Sequence, residues 1–195
     1  IDEGGSFATI SLDDYVSDPE SDDSDLNWTT SGNTELTIVV INRVVTITTP
    51  HEDWFGVETI TFEVSDGALS ASEDVIFTVN PVNDPPVVSD IPSETINEGE
   101  SFANAITLDD YVEDVESTDS QISWTYSGNA GLIIVEINSR VATITTPSPD
   151  WHGTETITFT ASDGEDSVDS DVIFTVNSVN DAPTFTKGLD LLLDE

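Results

Sequence analysis

Thr59-Ile60-Thr61-Phe62-Glu63-Val64 decides how this chain folds, because Ile60, Phe62 and Val64 occupy every second position. Side chains two residues apart on an extended backbone share a face, so the run reads as a strand with one buried side. Val75, Phe77 and Val79 repeat the pattern in Val75-Ile76-Phe77-Thr78-Val79. Further strands follow at LNWTT from Leu26, TIVVI from Thr37 and VVTITT from Val44, with threonine-rich outer faces. No segment sustains a helical period.

The same strands occur twice. VTITTPHEDWFGVETITF from Val45 returns as ATITTPSPDWHGTETITF from Ala142, and LDDYVSDPES from Leu12 returns as LDDYVEDVES from Leu108. The offset drifts from 98 − 3 = 95 at Glu3 and Glu98, through 111 − 15 = 96 at Tyr15 and Tyr111, to 163 − 66 = 97 at Asp66 and Asp163. Two single-residue insertions, expected in loops, separate the copies. Roughly seven short strands in about 96 residues predict an all-β chain of two tandem Greek-key sandwiches of immunoglobulin type. Repeat 1 is expected over residues 1–85 and repeat 2 over 86–182, with 183–195 the start of a third. The joints are Val82-Asn83-Asp84-Pro85-Pro86 and Val179-Asn180-Asp181-Ala182-Pro183. Ile1 in first position, without an initiator Met, suggests a piece of a longer polypeptide.

Composition narrows the chemistry. Of 195 residues, 40 are Asp or Glu and 3 are Lys or Arg, a formal net charge of −37. Such a chain is repelled by phosphate backbones and anionic bilayers, so neither nucleic-acid binding nor membrane insertion is expected. Four Trp, eight Phe and three Tyr are too many for a solvating acidic tail. Cysteine is absent, which removes disulfides, thiolate zinc sites and thiol nucleophiles together. Lysine is absent from the first 186 residues, so no Lys-Asn crosslink can staple either repeat.

Many acids recur at matching positions. The set in the first copy is Glu3, Asp13, Asp14, Asp18, Glu20, Asp53, Glu58, Asp66, Asp74 and Asp84. Its counterpart is Glu98, Asp109, Asp110, Asp114, Glu116, Asp150, Glu155, Asp163, Asp171 and Asp181. Oxygen-only ligands in loops, without His or Cys beside them, suit Ca2+, which takes six to eight oxygens in flexible geometry. Glu58 and Glu155 could also take part, although they read first as outward strand residues. Asp13-Asp14 and Asp109-Asp110 read as caps of their own turns, and Arg43 and Arg140 as partners of nearby acids.

The order of these motifs, an early-strand Glu, a DxD-type loop, a strand ending in Ser-Asp-Gly and a VNDxP linker, resembles the cadherin-like repeats of large bacterial and archaeal surface adhesins. The resemblance spans essentially the whole chain. In cadherins calcium sits at the joint between successive domains. Carried over residue by residue, the resemblance implies ligands at Glu3, Asp53, Asn83 and Asp84 from the first repeat and linker, and at Asp114, Glu116 and Asp163 from the second. It further implies half-sites at Asp18, Glu20 and Asp66 facing an upstream repeat, and at Glu98, Asp150, Asn180 and Asp181 facing a downstream one. His51 and Ser148 replace the first Asp of the family's Asp-Arg-Glu triplet. The function so implied is that of an extracellular, non-catalytic rod or adhesion segment stiffened by Ca2+, with calcium, neighbouring repeats, and other copies or surface glycans as partners.

Two other readings stand beside it. Trp28 and Trp124, with Trp54 and Trp151, could stack on sugars in a carbohydrate- or cell-wall-binding module, although core or joint packing is the better account of them. Alternatively the acidity is halophilic solvation, and stability should then follow ionic strength whatever the cation. Paired carboxylates for glycoside hydrolysis would need a groove that a 96-residue sandwich hardly offers. His51 and His152 do not align with each other, so neither a doubled zinc site nor a doubled triad exists.

Overall fold

The structure, a computed structural model, describes residues 1–102, 105–130 and 133–185. The chain divides into two units, Ile1–Asn83 and Asp84–Glu195. In the first, β1 (Ile10–Ser11), β2 (Asn27–Ser31), β3 (Thr37–Ile41), β4 (Val44–Thr48), β5 (Gly56–Ser65) and β6 (Ser70–Val79) form two three-stranded sheets ordered β1-β4-β3 and β2-β5-β6. Alternation sets the faces: in β4 Val45 and Ile47 are buried while Val44, Thr46 and Thr48 face solvent. Leu12, Leu36, Val45, Ile47, Ile60, Phe62 and Phe77 make up the core between the sheets.

The second unit repeats this plan. β7 (Val87–Val88), β8 (Glu94–Asn97), β9 (Ile106–Thr107), β10 (Val112–Glu113), β11 (Ser123–Ser127), β12 (Ile134–Asn138), β13 (Val141–Thr145), β14 (Gly153–Ser162) and β15 (Ser167–Asn177) give sheets ordered β12-β13-β9 and β11-β14-β15-β8, plus the pair β10-β7. Among the described residues every strand pair is antiparallel except β8 with β15, which run parallel. A leading segment is thereby laid beside the module's last strand. The tandem all-β sandwich itself is the fold observed.

Local chemistry explains the turns. Hairpin β3-β4 closes on Asn42 and Arg43 with φ of 50° and 64°, and β12-β13 on Ser139 and Arg140 with φ of 50° and 61°. Two consecutive left-handed residues form the type I′ turn whose twist matches the strands it joins. Each arginine then reaches an aspartate of the repeated LDDY segment, a short 3-10 turn. Arg43 Nε donates to Asp13 Oδ1 at 2.6 Å, and Arg140 Nε to Asp109 Oδ1 at 2.9 Å. Asp13 and Asp109, read from the sequence as caps of their own turns, are strapped instead to a neighbouring hairpin.

The Glu-Gly-x-Ser-Phe motif anchors each sandwich through an edge-to-face pair. Phe7 meets Phe77 at 5.4 Å and 88°, and Phe102 meets Phe174 at 5.3 Å and 82°.

Candidate functional site

Strand direction sends the candidate acids of a module to opposite ends. Asp53 precedes the ten-residue β5 and Asp66 follows it, a separation of roughly 33 Å along an extended strand. β6 returns antiparallel, pairing Val79 with Gly56, and so brings the Asn80 side of the chain back to the Asp53 end.

At that end Glu3 is fixed by its backbone and its side chain. Its N–H donates to Asn80 O at 2.9 Å, and its Oε1 accepts the Val82 N–H at 2.5 Å. Its Oε2 is buried with no hydrogen-bond partner among the described residues. Glu98 repeats the arrangement, with its N–H on Asn177 O at 2.8 Å and its Oε1 taking the Val179 N–H. There the second oxygen meets His152 Nδ1 at 3.1 Å, a partner absent from the first module because Phe55 stands at that position. Asp53 and Asp150 are exposed, as are Asn180 and Asp181.

At the opposite end the acids organise loops. Asp18 Oδ1 accepts the N–H groups of Glu20 and Ser21, both at 2.8 Å. Asp114 Oδ1 accepts those of Glu116 at 3.1 Å and Ser117 at 2.6 Å. Asp66 Oδ1 takes Ala68 and Leu69, and Asp163 Oδ1 takes Glu165 and Asp166, all at 2.7 Å. Each of these turns is closed by a single carboxylate oxygen that accepts two backbone N–H groups. The Leu69 and Ala68 N–H groups hold the Asp66 carboxyl below the usual carboxylate range. In the second module Glu116 Oε2 accepts the Asp84 N–H at 3.1 Å, which brings the linker acid to the DxE loop. Asp114 Oδ2 is buried with no hydrogen-bond partner among the described residues. In the first module Asp18 and Asp66 line one cleft of about 210 Å³. Asn83 is half-buried.

Glu58 and Glu155 are not outward strand residues. They are 7% and 6% exposed. Glu58 collects Thr34 N at 3.1 Å, Thr34 Oγ1 at 2.6 Å, Glu35 N at 2.6 Å and Leu36 N at 3.3 Å. Glu155 collects Ala130 N at 3.1 Å and Ile133 N at 2.7 Å. Burial pushes the Glu58 carboxyl up, but the Thr34 hydroxyl and the three backbone donors outweigh it and hold it below the usual range. The signal was present in the sequence, since Glu58 is in phase with Ile60 and Phe62. Gly32 shapes the clasped loop with φ of 96°, and a Cβ there would meet Thr59 O at 2.6 Å.

The tryptophans pack on their own modules. Trp124 belongs to the second core, and Trp28, Trp54 and Trp151 lie against the cores partly buried. Trp54 and Trp151 fold over the glycine two residues on, where a Cβ at Gly56 would meet the Trp54 ring at 2.9 Å and one at Gly153 the Trp151 ring at 3.1 Å.

Residues 83–177 match the family model described as Bacterial Ig domain. Chitinase A of Pseudoalteromonas piscicida is 27% identical over 181 residues, 92% of this chain and 21% of that protein. The chain therefore spans about a fifth of the length of this relative. Protocadherin Gamma B2 extracellular cadherin domains 1-5 superpose with a TM-score of 0.50 at 17% identity, over 80% of this chain and 33% of that one. An endo-fucoidan hydrolase from glycoside hydrolase family 107 gives a TM-score of 0.39 at 24% identity, over 81% of this chain and 24% of that one. Residues 83–177 are thus similar to a bacterial Ig domain, and the fold of the chain is immunoglobulin/cadherin-like.

Proposed function

We propose that these repeats bind Ca2+ through their loop acids and serve as a non-catalytic, calcium-stiffened spacer or adhesion segment of a larger extracellular protein. The observation that carries this reading is the pair of half-used carboxylates. Glu3 and Asp114 each spend one oxygen on backbone N–H groups and bury the other without a hydrogen bond. A buried, unpaired carboxylate oxygen is costly unless a cation meets it. Among the described residues the two arginines do not fill that role, because they pair with Asp13 and Asp109. The set Glu3, Asp53, Asn83, Asp84, Asp114, Glu116 and Asp163 is the proposed joint site. Asp18, Glu20 and Asp66, with Glu98, Asp150, Asn180 and Asp181, are proposed to serve adjoining repeats. Calcium would then neutralise the mutual repulsion of these acids and fix the angle between modules.

The test is calorimetric titration of chelator-stripped protein with calcium in about 150 mM salt, with magnesium as control. Saturable, calcium-selective binding with Kd of about 10⁻⁴ to 10⁻³ M is expected, lost in Asp114→Ala and Asp84→Ala. Heat that magnesium or extra sodium chloride reproduces would refute the reading in favour of a solvated acidic coat.

The chitinase relative favours one refinement, that the parent protein acts on an extracellular polysaccharide and these repeats space its catalytic part from another. Binding of this chain to insoluble polysaccharide, abolished in Trp54→Ala and Trp151→Ala, would instead make it a carbohydrate-binding module.

A further inference from the structure

The hairpins that close on Asn42-Arg43 and Ser139-Arg140 differ in what they show to solvent. Among the described residues β3 is the last strand of its sheet, ordered β1-β4-β3. Ile38 and Val40 turn inward and pack against the first core, whereas Thr37, Val39 and Ile41 face out. Val39 is 43% and Ile41 64% exposed, and Val44 of β4, in register with Ile41, is 40% exposed. No charge interrupts this strand, in a chain where 40 of 195 residues are acidic. In the second module Glu136 stands in place of Val39 and Asn138 in place of Ile41.

The turn fixes which backbone groups this edge offers. Across a two-residue hairpin loop the flanking residues, here Ile41 and Val44, exchange both main-chain hydrogen bonds, and the pattern then alternates along the antiparallel ladder. Thr37, Val39 and Ile41 therefore direct their N–H and C=O groups to Thr48, Thr46 and Val44 of β4. Ile38 and Val40 direct theirs the other way, out from the open edge. An edge of this kind templates pairing with another strand, and a charged side chain on it is a common block. Glu136 supplies that block on β12, whereas β3 has none.

One register satisfies the edge with a copy of itself. In an antiparallel pairing centred on Val39, Ile38 lies opposite Val40 of the second copy and Val40 opposite its Ile38, so the outward backbone groups of both strands meet. Val39 then faces Val39 in the non-hydrogen-bonded position, where Cα atoms approach to about 4.5 Å, and Thr37 faces Ile41. Beyond the strand, the exposed Glu35 falls opposite Arg43, which Asp13 holds in place, so opposite charges meet at both ends. Centring on Ile38 would set Val40 against Leu36, whose N–H already donates to Glu58 Oε2 at 3.3 Å. Centring on Val40 would set Ile38 against Asn42, inside the turn at φ of 50°. Two β12 strands paired in the favoured register would press Glu136 against Glu136, and like charges directly opposite are destabilising.

We infer that the first module associates with a second copy of the chain through its β3 edge, in an antiparallel twofold contact centred on Val39 that joins the two β1-β4-β3 sheets into one. Main-chain hydrogen bonds supply the affinity of such strand addition, and alternate side chains, here Val39 and Ile41, its specificity. The contact uses the same surface on both copies, so it closes at the dimer. A formal charge of −37 on each copy opposes it, and it should strengthen as salt screens that repulsion.

Sedimentation of the full 195-residue chain tests this, with chelator present so that calcium plays no part. In about 0.5 M sodium chloride, where the screening length is only a few ångströms, the weight-average mass should rise with concentration from that of one copy and level off at that of two. Val39→Glu, which gives β3 the residue that β12 carries, should weaken association at least tenfold. Because the chain has no cysteine, Val39→Cys gives a second measurement. The Cα separation expected at the twofold lies within the range a disulfide spans, so mild oxidation should crosslink Val39→Cys at least tenfold faster than Thr46→Cys, which shares the outward face one strand in from the edge. Should Val39→Glu lower the melting temperature, the cysteine pair decides alone. A wild-type mass that stays at one copy or climbs past two, a folded Val39→Glu chain that associates like wild type, or equal crosslinking of the two cysteine variants would each overturn the inference.

Discussion

Removing the Glu58 carboxylate should cost more than any surface acid could. Glu58→Ala strips the acceptor from four donors, of which the Thr34 hydroxyl and the Glu35 N–H lie on exposed residues and can turn to water, whereas Leu36 is 1% exposed. A stranded buried N–H costs about 1 to 3 kcal/mol, and hydrogen bonds to a charged acceptor are worth about 1.5 to 3 kcal/mol each without adding fully. Their combination puts the loss at about 3 to 4 kcal/mol. In a domain of under 100 residues each kcal/mol moves the melting temperature by about 4 to 8 °C, so the first module should melt about 12 to 30 °C earlier. Scanning calorimetry of the full chain with chelator reads this directly, and hydrogen exchange should show lost protection at the Leu36 amide. Glu155→Ala should do the same to the second module and spare the first. A shift below about 4 °C for Glu58→Ala would refute the clasp as a stabilising element.

The remaining predictions concern pH, the hairpins, the tryptophan cover and calcium. Because the folded-state pKa of Glu58 lies below its unfolded value, its contribution is fully present above about pH 5 and lost as pH falls through the ordinary Glu value of about 4.3 and on toward the folded one. The stability gap between wild type and Glu58→Gln, measured by urea unfolding, should therefore close on acidification. Arg43 sits at φ of 64° and holds a half-exposed ion pair. Arg43→Gly loses about 0.2 to 1 kcal/mol of pairing but relieves a comparable left-handed backbone strain of about 1 kcal/mol. It should stay near wild type, while Arg43→Val loses both ways. Gly56→Ala should drive its new methyl into the Trp54 ring, costing about 1 to 3 kcal/mol and shifting tryptophan emission. Calcium at about 100 times its Kd should add about 2.7 kcal/mol per independent site, and Asp114→Ala should remove that gain.

The strands were readable because period-two alternation depends only on neighbouring residues, as at Ile60-Phe62 and Val45-Ile47. Features that depend on distant partners were less so. Asp13 looked like a turn cap because its true partner, Arg43, lies 30 residues away. Glu58 was assigned by residue type although its phase along β5 already placed it inside. The loop geometry of Asp18, Asp66, Asp114 and Asp163 was foreshadowed by short Asp-containing motifs, whose side chains bond two or three residues ahead.

The parallel pairing of β8 with β15 also has a kinetic consequence. Glu94 and Phe174 face each other across 80 residues of chain, whereas β14 and β15 pair over ten positions through the short 163–166 turn. The hairpin can form from local contacts, but the β8 pairing must first close a long loop and should form late. Segments that dock last through few hydrogen bonds tend also to open first, in local fluctuations far short of global unfolding. Amide exchange at Thr95 and Ile96 should accordingly outpace that of the β14-β15 ladder.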